Sequence, residues 1–150
     1  MKLTEASSDT TQQFRGEARS VEELIASIEN GRFTLDGRKL VVRGDLSLGW
    51  AGLTSLLGCP QRVQGDFSCA FNKLETLEGA PQEVNGSFYC SDNVLKTLVG
   101  APQEVGGSFN CARNQLKTLK GGPRRVGVSF NCVSNNSGGA RHIQLYQRRH

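Results

Sequence analysis

Phe88-Tyr89-Cys90-Ser91-Asp92-Asn93-Val94-Leu95 decides the fold, because the chain says nearly the same thing again at a fixed distance. Twenty-one residues earlier stands Phe67-Ser68-Cys69-Ala70-Phe71-Asn72-Lys73-Leu74, and twenty-one later Phe109-Asn110-Cys111-Ala112-Arg113-Asn114-Gln115-Leu116. Outward from these, the same period carries Val42, Val63, Val84, Val105 and Val126, and extends the Phe column to Leu46 and Phe130. Leu48 and Cys132 extend the Cys column, Asn135 the Asn column and Leu53 the Leu column. Pro60, Pro81, Pro102 and Pro123 recur, as do Leu56, Leu77, Leu98 and Leu119, each followed two residues later by Gly58, Gly79, Gly100 or Gly121. One unit reads L-x-T-L-x-G-x-P-x-x-V-x-G-x-F-x-C-x-x-N-x. A unit this short cannot bury its own apolar face, so copies must stack.

Within V-x-G-x-F-x-C the kept residues alternate, which predicts one strand with one face buried. The Asn that follows can satisfy backbone groups in a turn. Gly and Pro then predict a return arm with tight, stiffened corners. Eighteen glycines in 150 residues fit such a turn-rich coil.

This pattern resembles the leucine-rich repeat family, whose core reads L-x-x-L-x-L-x-x-N-x-L, over roughly residues 33–136. The short period and Pro-containing arm look most like repeats of bacterial and bacteriophage proteins, secreted bacterial effectors included. The resemblance implies a repeat solenoid of about five 21-residue rungs with a parallel β-strand face, an N-terminal capping helix and few or no other helices. It implies a scaffold and leaves function to the surface.

The ends depart from the repeat. Residues 1–19 are expected to be flexible. Ser20-Val21-Glu22-Glu23 forms a capping box, with Leu24, Ile25 and Ile28 on one helical face and Gly31 as a stop, predicting a capping helix over residues 20–32. Residues 33–136 make the solenoid, whose first rung has Ala51 where Asn is expected. Residues 137–150 form a basic tail or cap, in which Ile143-Gln144-Leu145 could add an edge strand. No apolar run suits a signal peptide or a membrane span, so a cytoplasmic protein with no membrane role and reduced cysteines is expected.

Charge is uneven. Residues 1–112 hold ten basic and fourteen acidic residues, whereas residues 113–150 hold eight basic and none acidic. The molecule is expected to be dipolar, with a basic C-terminal end.

Catalytic chemistry is poorly supplied. The two histidines, His142 and His150, lie outside the repeat, and no nucleophile-elbow, P-loop or metalloprotease motif occurs. Cys69, Cys90, Cys111 and Cys132 sit where ordinary leucine-rich repeats place Leu or Val, as Leu48 does here. Packing as small hydrophobes explains them better than metal ligation, which favours close pairs, or oxidative pairing. Cys59 lies off this column and reads as a loop thiol. No catalytic residue, metal or cofactor is expected.

Variation between repeats points to binding. Beside the buried F-x-C positions most residues are small and polar, as on a solvated sheet face. Trp50, Phe71, Tyr89 and Arg113 break that rule on neighbouring rungs with residue types enriched in binding hot spots. The alternative places Trp50 under the N-terminal cap and Phe71 in a turn core. With Asp92 and Asn110 these form one candidate partner-binding strip; Lys117, Lys120, Arg124 and Arg125 form a second, basic one. The expected function is non-enzymatic docking onto a larger, acidic protein, such as a host or defence complex inhibited by a phage or bacterial binder. Nucleic-acid binding through the basic segment is the competing reading, and self-association through the C-terminal rung a third.

Overall fold

A computed structural model describes residues 20–21, 33–36 and 39–135. The chain winds as a β-solenoid with 21-residue spacing and in-register parallel strands, as the repeat requires. Each rung contributes two short strands to two different sheets. The first sheet is β1 (Phe33–Asp36), β2 (Lys39–Val42), β4 (Arg62–Val63), β6 (Glu83–Val84), β8 (Glu104–Val105) and β10 (Arg125–Val126), in that spatial order. The second stacks β3 (Leu46–Ser47), β5 (Phe67–Ser68), β7 (Phe88–Tyr89), β9 (Phe109–Asn110) and β11 (Phe130–Asn131). All neighbours pair in parallel except β1, which runs antiparallel to β2. Of the expected cap, Ser20 and Val21 are described, and Val21 is buried in the core. The rest of it, with residues 1–19 and 137–150, lies outside the described residues.

The single strand expected over V-x-G-x-F-x-C is therefore bent into two. Its alternation survives the bend, since Val63, Phe67 and Cys69 are all buried. The ladder's direction does not survive. Gln64 and Gly65 donate back to the preceding rung, to the Val42 and Gly44 carbonyls at 2.9 and 2.8 Å, while Phe67 and Cys69 donate forward, to Ser87 and Tyr89, both at 2.8 Å. At the switch, the Asp66 N–H is met by a side chain, Asp45 Oδ1 at 2.7 Å. Ser87 N–H uses Asp66 Oδ1 at 2.8 Å and Ser108 N–H uses Ser87 Oγ at 2.9 Å in the same way. This explains the glycine of V-x-G: a Cβ on Gly65 would lie 2.2 Å from Asp45 Oδ1. Where Val128 replaces that glycine on the last rung, Ser108 and Ser129 meet hydroxyl to hydroxyl at 2.9 Å.

After the second sheet the chain turns at the Asn corner, runs along an arm (residues 73–77 in the second rung), and turns again at Gly79, Gly100 or Gly121. These three glycines have φ of +94°, +100° and +87°, which side chains disfavour. A Cβ on Gly100 would also press to 2.3 Å on the Leu77 backbone. The side-chain oxygens of Thr76, Thr97 and Thr118 accept the Glu78, Val99 and Lys120 N–H groups at 3.2 Å, preparing each turn.

The core is a set of ladders. Phe67, Phe88 and Phe109 are fully buried, with successive rings 5.1 Å apart, and Phe109 lies 5.2 Å from Phe130. The Cys column runs beside them, also buried. Cys59, off that column, follows the Gly corner outside any strand, as a loop position should, but its side chain is buried in the core. Because Phe88 has an aromatic neighbour on both sides, Phe88→Ala should destabilise the fold by about 3–5 kcal/mol. Urea unfolding measures it; a loss below about 1 kcal/mol would mean that the ladder collapses into the gap.

Candidate interaction surface

The Asn corner positions the most distinctive side chains. The residue before each Asn is Trp50, Phe71, Asp92, Arg113 or Ser134; the first of these precedes Ala51, which stands in the Asn position. All five are left-handed, with φ between 54° and 59°. That conformation costs an ordinary residue about 1–2 kcal/mol, and Gly or Asn tolerates it best. The chain places neither there. Stacking then aligns the five as a ridge along one corner of the solenoid, where the first four form two pairs. Trp50 and Phe71 stack with ring centroids 4.2 Å apart and an interplanar angle of 8°. Arg113 grips Asp92 with Nε and Nη2 donating to the two carboxylate oxygens at 2.7 and 2.9 Å. These two bonds, helped by Ser91, hold the Asp92 carboxyl below its usual range.

Burial separates the two readings of the aromatics. Trp50 is 48% exposed and Phe71 39% exposed, so neither is enclosed as a core side chain. Tyr89 sits three residues before the ridge on the face of the second sheet, partly exposed. Asn110, one rung on, has its Oδ1 turned back to its own Ala112 N–H at 3.0 Å, and Ser68 and Asn131 bond locally in the same manner. Tyr89 alone in that set has a side chain unsuited to this bond.

The basic residues lie elsewhere. Lys117 and Lys120 are exposed on the arm and at its Gly corner, while Arg124 and Arg125 lie across the rung beside the first sheet. The ten sequence candidates therefore make a corner ridge with Tyr89 and Asn110 beside it, and a separate basic belt from the arm of the fourth rung to the first strand of the fifth. Lys117, Lys120 and Arg124 have no ion-pair partner among the described residues, whereas Arg125 reaches Glu104 at 3.4 Å.

A polar groove of about 660 Å³ runs over the first sheet, a feature the sequence did not single out. Arg62, Glu83, Glu104 and Arg125 form its charged column. Arg62 pairs with Glu83 and Arg125 with Glu104, so its charge is internally matched. A signal existed, since these positions recur every 21 residues, but opposite signs in one column acquire meaning only once rungs stack.

The buried thiols offer little chemistry. Burial pushes Cys59 up to about 12 and Cys132 to about 11, and moves Cys69, Cys90 and Cys111 well up as well. A protonated, enclosed thiol is neither nucleophile nor ligand. Among the described residues no cluster of three or more His, Cys, Asp or Glu is placed to hold a metal ion, and no helix is long and apolar enough to cross a membrane. No protein-family model, curated protein or solved structure matches the chain. Its surface must be read from its own chemistry.

Proposed function

We propose that this chain is a non-catalytic binding module of the leucine-rich-repeat class, docking a larger protein partner through the corner ridge. The observation that carries this reading is the exposed Trp50–Phe71 stack in a backbone conformation that disfavours both residues. A backbone conformation that suits Gly carries two large aromatics partly facing solvent, and such side chains anchor interfaces. Tyr89 lies beside them, and the basic belt would favour an acidic partner. Within a bacterial or phage-infected cytoplasm, covering a surface of a host or defence complex is the mode of action such a small binder would have.

The test separates folding from binding. Trp50→Gly/Phe71→Gly relieves the left-handed cost of about 1–2 kcal/mol per residue while losing a ring stack worth about 0.5–1.5 kcal/mol and some glycine entropy. Its stability should stay within about 1 kcal/mol of the parent. Capture of the partner from lysate of the source cells should drop at least about tenfold, equivalent to a single hot spot. Trp50 is the only tryptophan, so its emission should also shift when the captured protein is added back to the parent. Equal capture by both proteins would refute a ridge-based interface.

A second reading rests on Lys117, Lys120 and Arg124, exposed and without an ion-pair partner among the described residues. Nucleic acid would then be the ligand. Capture would be nuclease-sensitive and would weaken steeply between about 50 and 200 mM salt.

A further inference from the structure

The arm after the Asn corner carries a charge pattern that shows only when rungs are compared column by column. In the second rung it presents Glu75 and Glu78; in the fourth, the same two columns hold Lys117 and Lys120. The third rung between them has Lys96 and Val99, the latter 43% exposed. Backbone bonds hold these columns in line: Lys96 N–H donates to the Glu75 carbonyl at 3.2 Å, and Leu77 N–H to the Val99 carbonyl at 3.0 Å. All four charged side chains are exposed, and none has an ion-pair partner among the described residues. The acidic and basic pairs stand two rungs, or about 10 Å, apart.

We propose that this arm is a self-complementary interface that pairs with the same arm of a second copy of the chain, Glu75 and Glu78 facing Lys117 and Lys120, with Val99 meeting Val99 on the two-fold axis. A two-fold axis lying in the interface and directed along the third rung's arm exchanges the second rung for the fourth and keeps each column over itself. Glu75 then faces Lys117 and Glu78 faces Lys120, and symmetry makes each pair twice. Val99 and the half-buried Val94 meet their own copies at the centre, the apolar middle of a polar rim. Lys96 also meets its copy, and its flexible stem lets the ammonium turn toward either Glu75. The opposite charge order in one set of columns is what an isologous contact needs; a heterologous partner would not require it. Five rungs give a face only about 24 Å long, so the contact is small and the dimer weak and salt-sensitive. The ridge stays free, and the inference does not depend on the proposed partner.

The experiment is sedimentation equilibrium of the full chain from about 1 μM to about 1 mM, at low and high salt. The parent should dimerise reversibly, and less at high salt. Glu75→Lys/Glu78→Lys and Lys117→Glu/Lys120→Glu should each weaken the dimer at least about tenfold, since both turn attraction into repulsion. Mixed in equal amounts, the two variants should form a heterodimer, because each then meets its opposite on both halves. Under mild oxidation Val99→Cys should give a disulfide-linked dimer at protein concentrations where Leu57→Cys, two rungs from the axis, does not; the native thiols are buried and silent. All four variants change exposed side chains, and circular dichroism confirms the fold of each. A parent that stays monomeric throughout, a dimer indifferent to the charge reversals, or a Val99→Cys that cross-links no better than Leu57→Cys overturns the proposal.

Discussion

Asn114→Ala should destabilise the solenoid by about 3–5 kcal/mol, more than an average core truncation of the same size, because it orphans several backbone groups together. Asn114 Oδ1 accepts the N–H groups of Asn93 and Leu95 at 3.1 and 3.0 Å. Its Nδ2 donates to the carbonyls of Cys90, Cys111 and Ala112 at 3.1, 3.1 and 3.2 Å. The side chain thus ties its own rung to the one before it, and it is buried, so water cannot take its place. Each group left unsatisfied costs about 1–3 kcal/mol. Asn114→Asp should do no better, since a carboxylate keeps the acceptor but faces three carbonyl oxygens. Asn135 on the last described rung keeps the three Nδ2 bonds but its Oδ1 accepts from Leu116 in place of two N–H groups, and it is only half-buried, so Asn135→Ala should cost about 1–2 kcal/mol. Urea unfolding of the pair gives the comparison. Equal losses, or a loss at Asn114 below about 1 kcal/mol, would mean that the Asn column is not what joins the rungs.

Alkaline pH should unfold the protein over a narrow interval, and the buried thiols should set its steepness. Burial raises Cys59, Cys69, Cys90 and Cys111 above the ordinary thiol value, with neighbouring thiols adding to the rise at the last three. The folded state holds these protons longer than the unfolded chain does. Below about pH 8.5 both states are protonated and the stabilisation is complete. Above it the unfolded chain ionises first, and each thiol removes about 1.4 kcal/mol of stability per pH unit until its folded value is reached. With Cys132, also raised by burial, five thiols together remove about 7 kcal/mol per unit, against a typical total of about 5–15 kcal/mol. Unfolding should therefore fall between about pH 9 and 11. Cys69→Ala/Cys90→Ala lowers stability at neutral pH through lost packing, so the slope is the decisive readout. Stability measured by urea unfolding from pH 8 to pH 10 should fall with about three fifths of the parent's thiol-dependent slope in the variant. Identical slopes would show that the thiols do not drive the transition.

These two predictions rest on columns that were legible in the sequence. Asn72, Asn93, Asn114 and Asn135 recur every 21 residues where a turn needs a side chain that both donates and accepts. Cys69, Cys90, Cys111 and Cys132 recur where other repeats bury Leu. The corner ridge was legible in part: Trp50, Phe71 and Arg113 stood out by residue type, but Tyr89 was set in the same line and Asp92 was grouped only by position. The structure puts Asp92 in the ridge and Tyr89 beside it.

By itself the sequence determined the stacked architecture, the rung length and the buried columns. These are local constraints, one residue type at one position, and repetition multiplies the signal of each. Tertiary structure alone decided the features that depend on two rungs meeting at about 4.8 Å. It bends V-x-G-x-F-x-C into two sheets, because Asp45, Asp66 and Ser87 reach across rungs to N–H groups that the strand ladder leaves behind. It stacks Trp50 on Phe71 and closes Arg113 on Asp92, partners 21 residues apart that no local pattern links. It buries Cys59, and it sets Glu75 and Glu78 in the columns of Lys117 and Lys120. Side chains that neighbour each other across rungs are distant along the chain, so their chemistry exists only once the coil has closed.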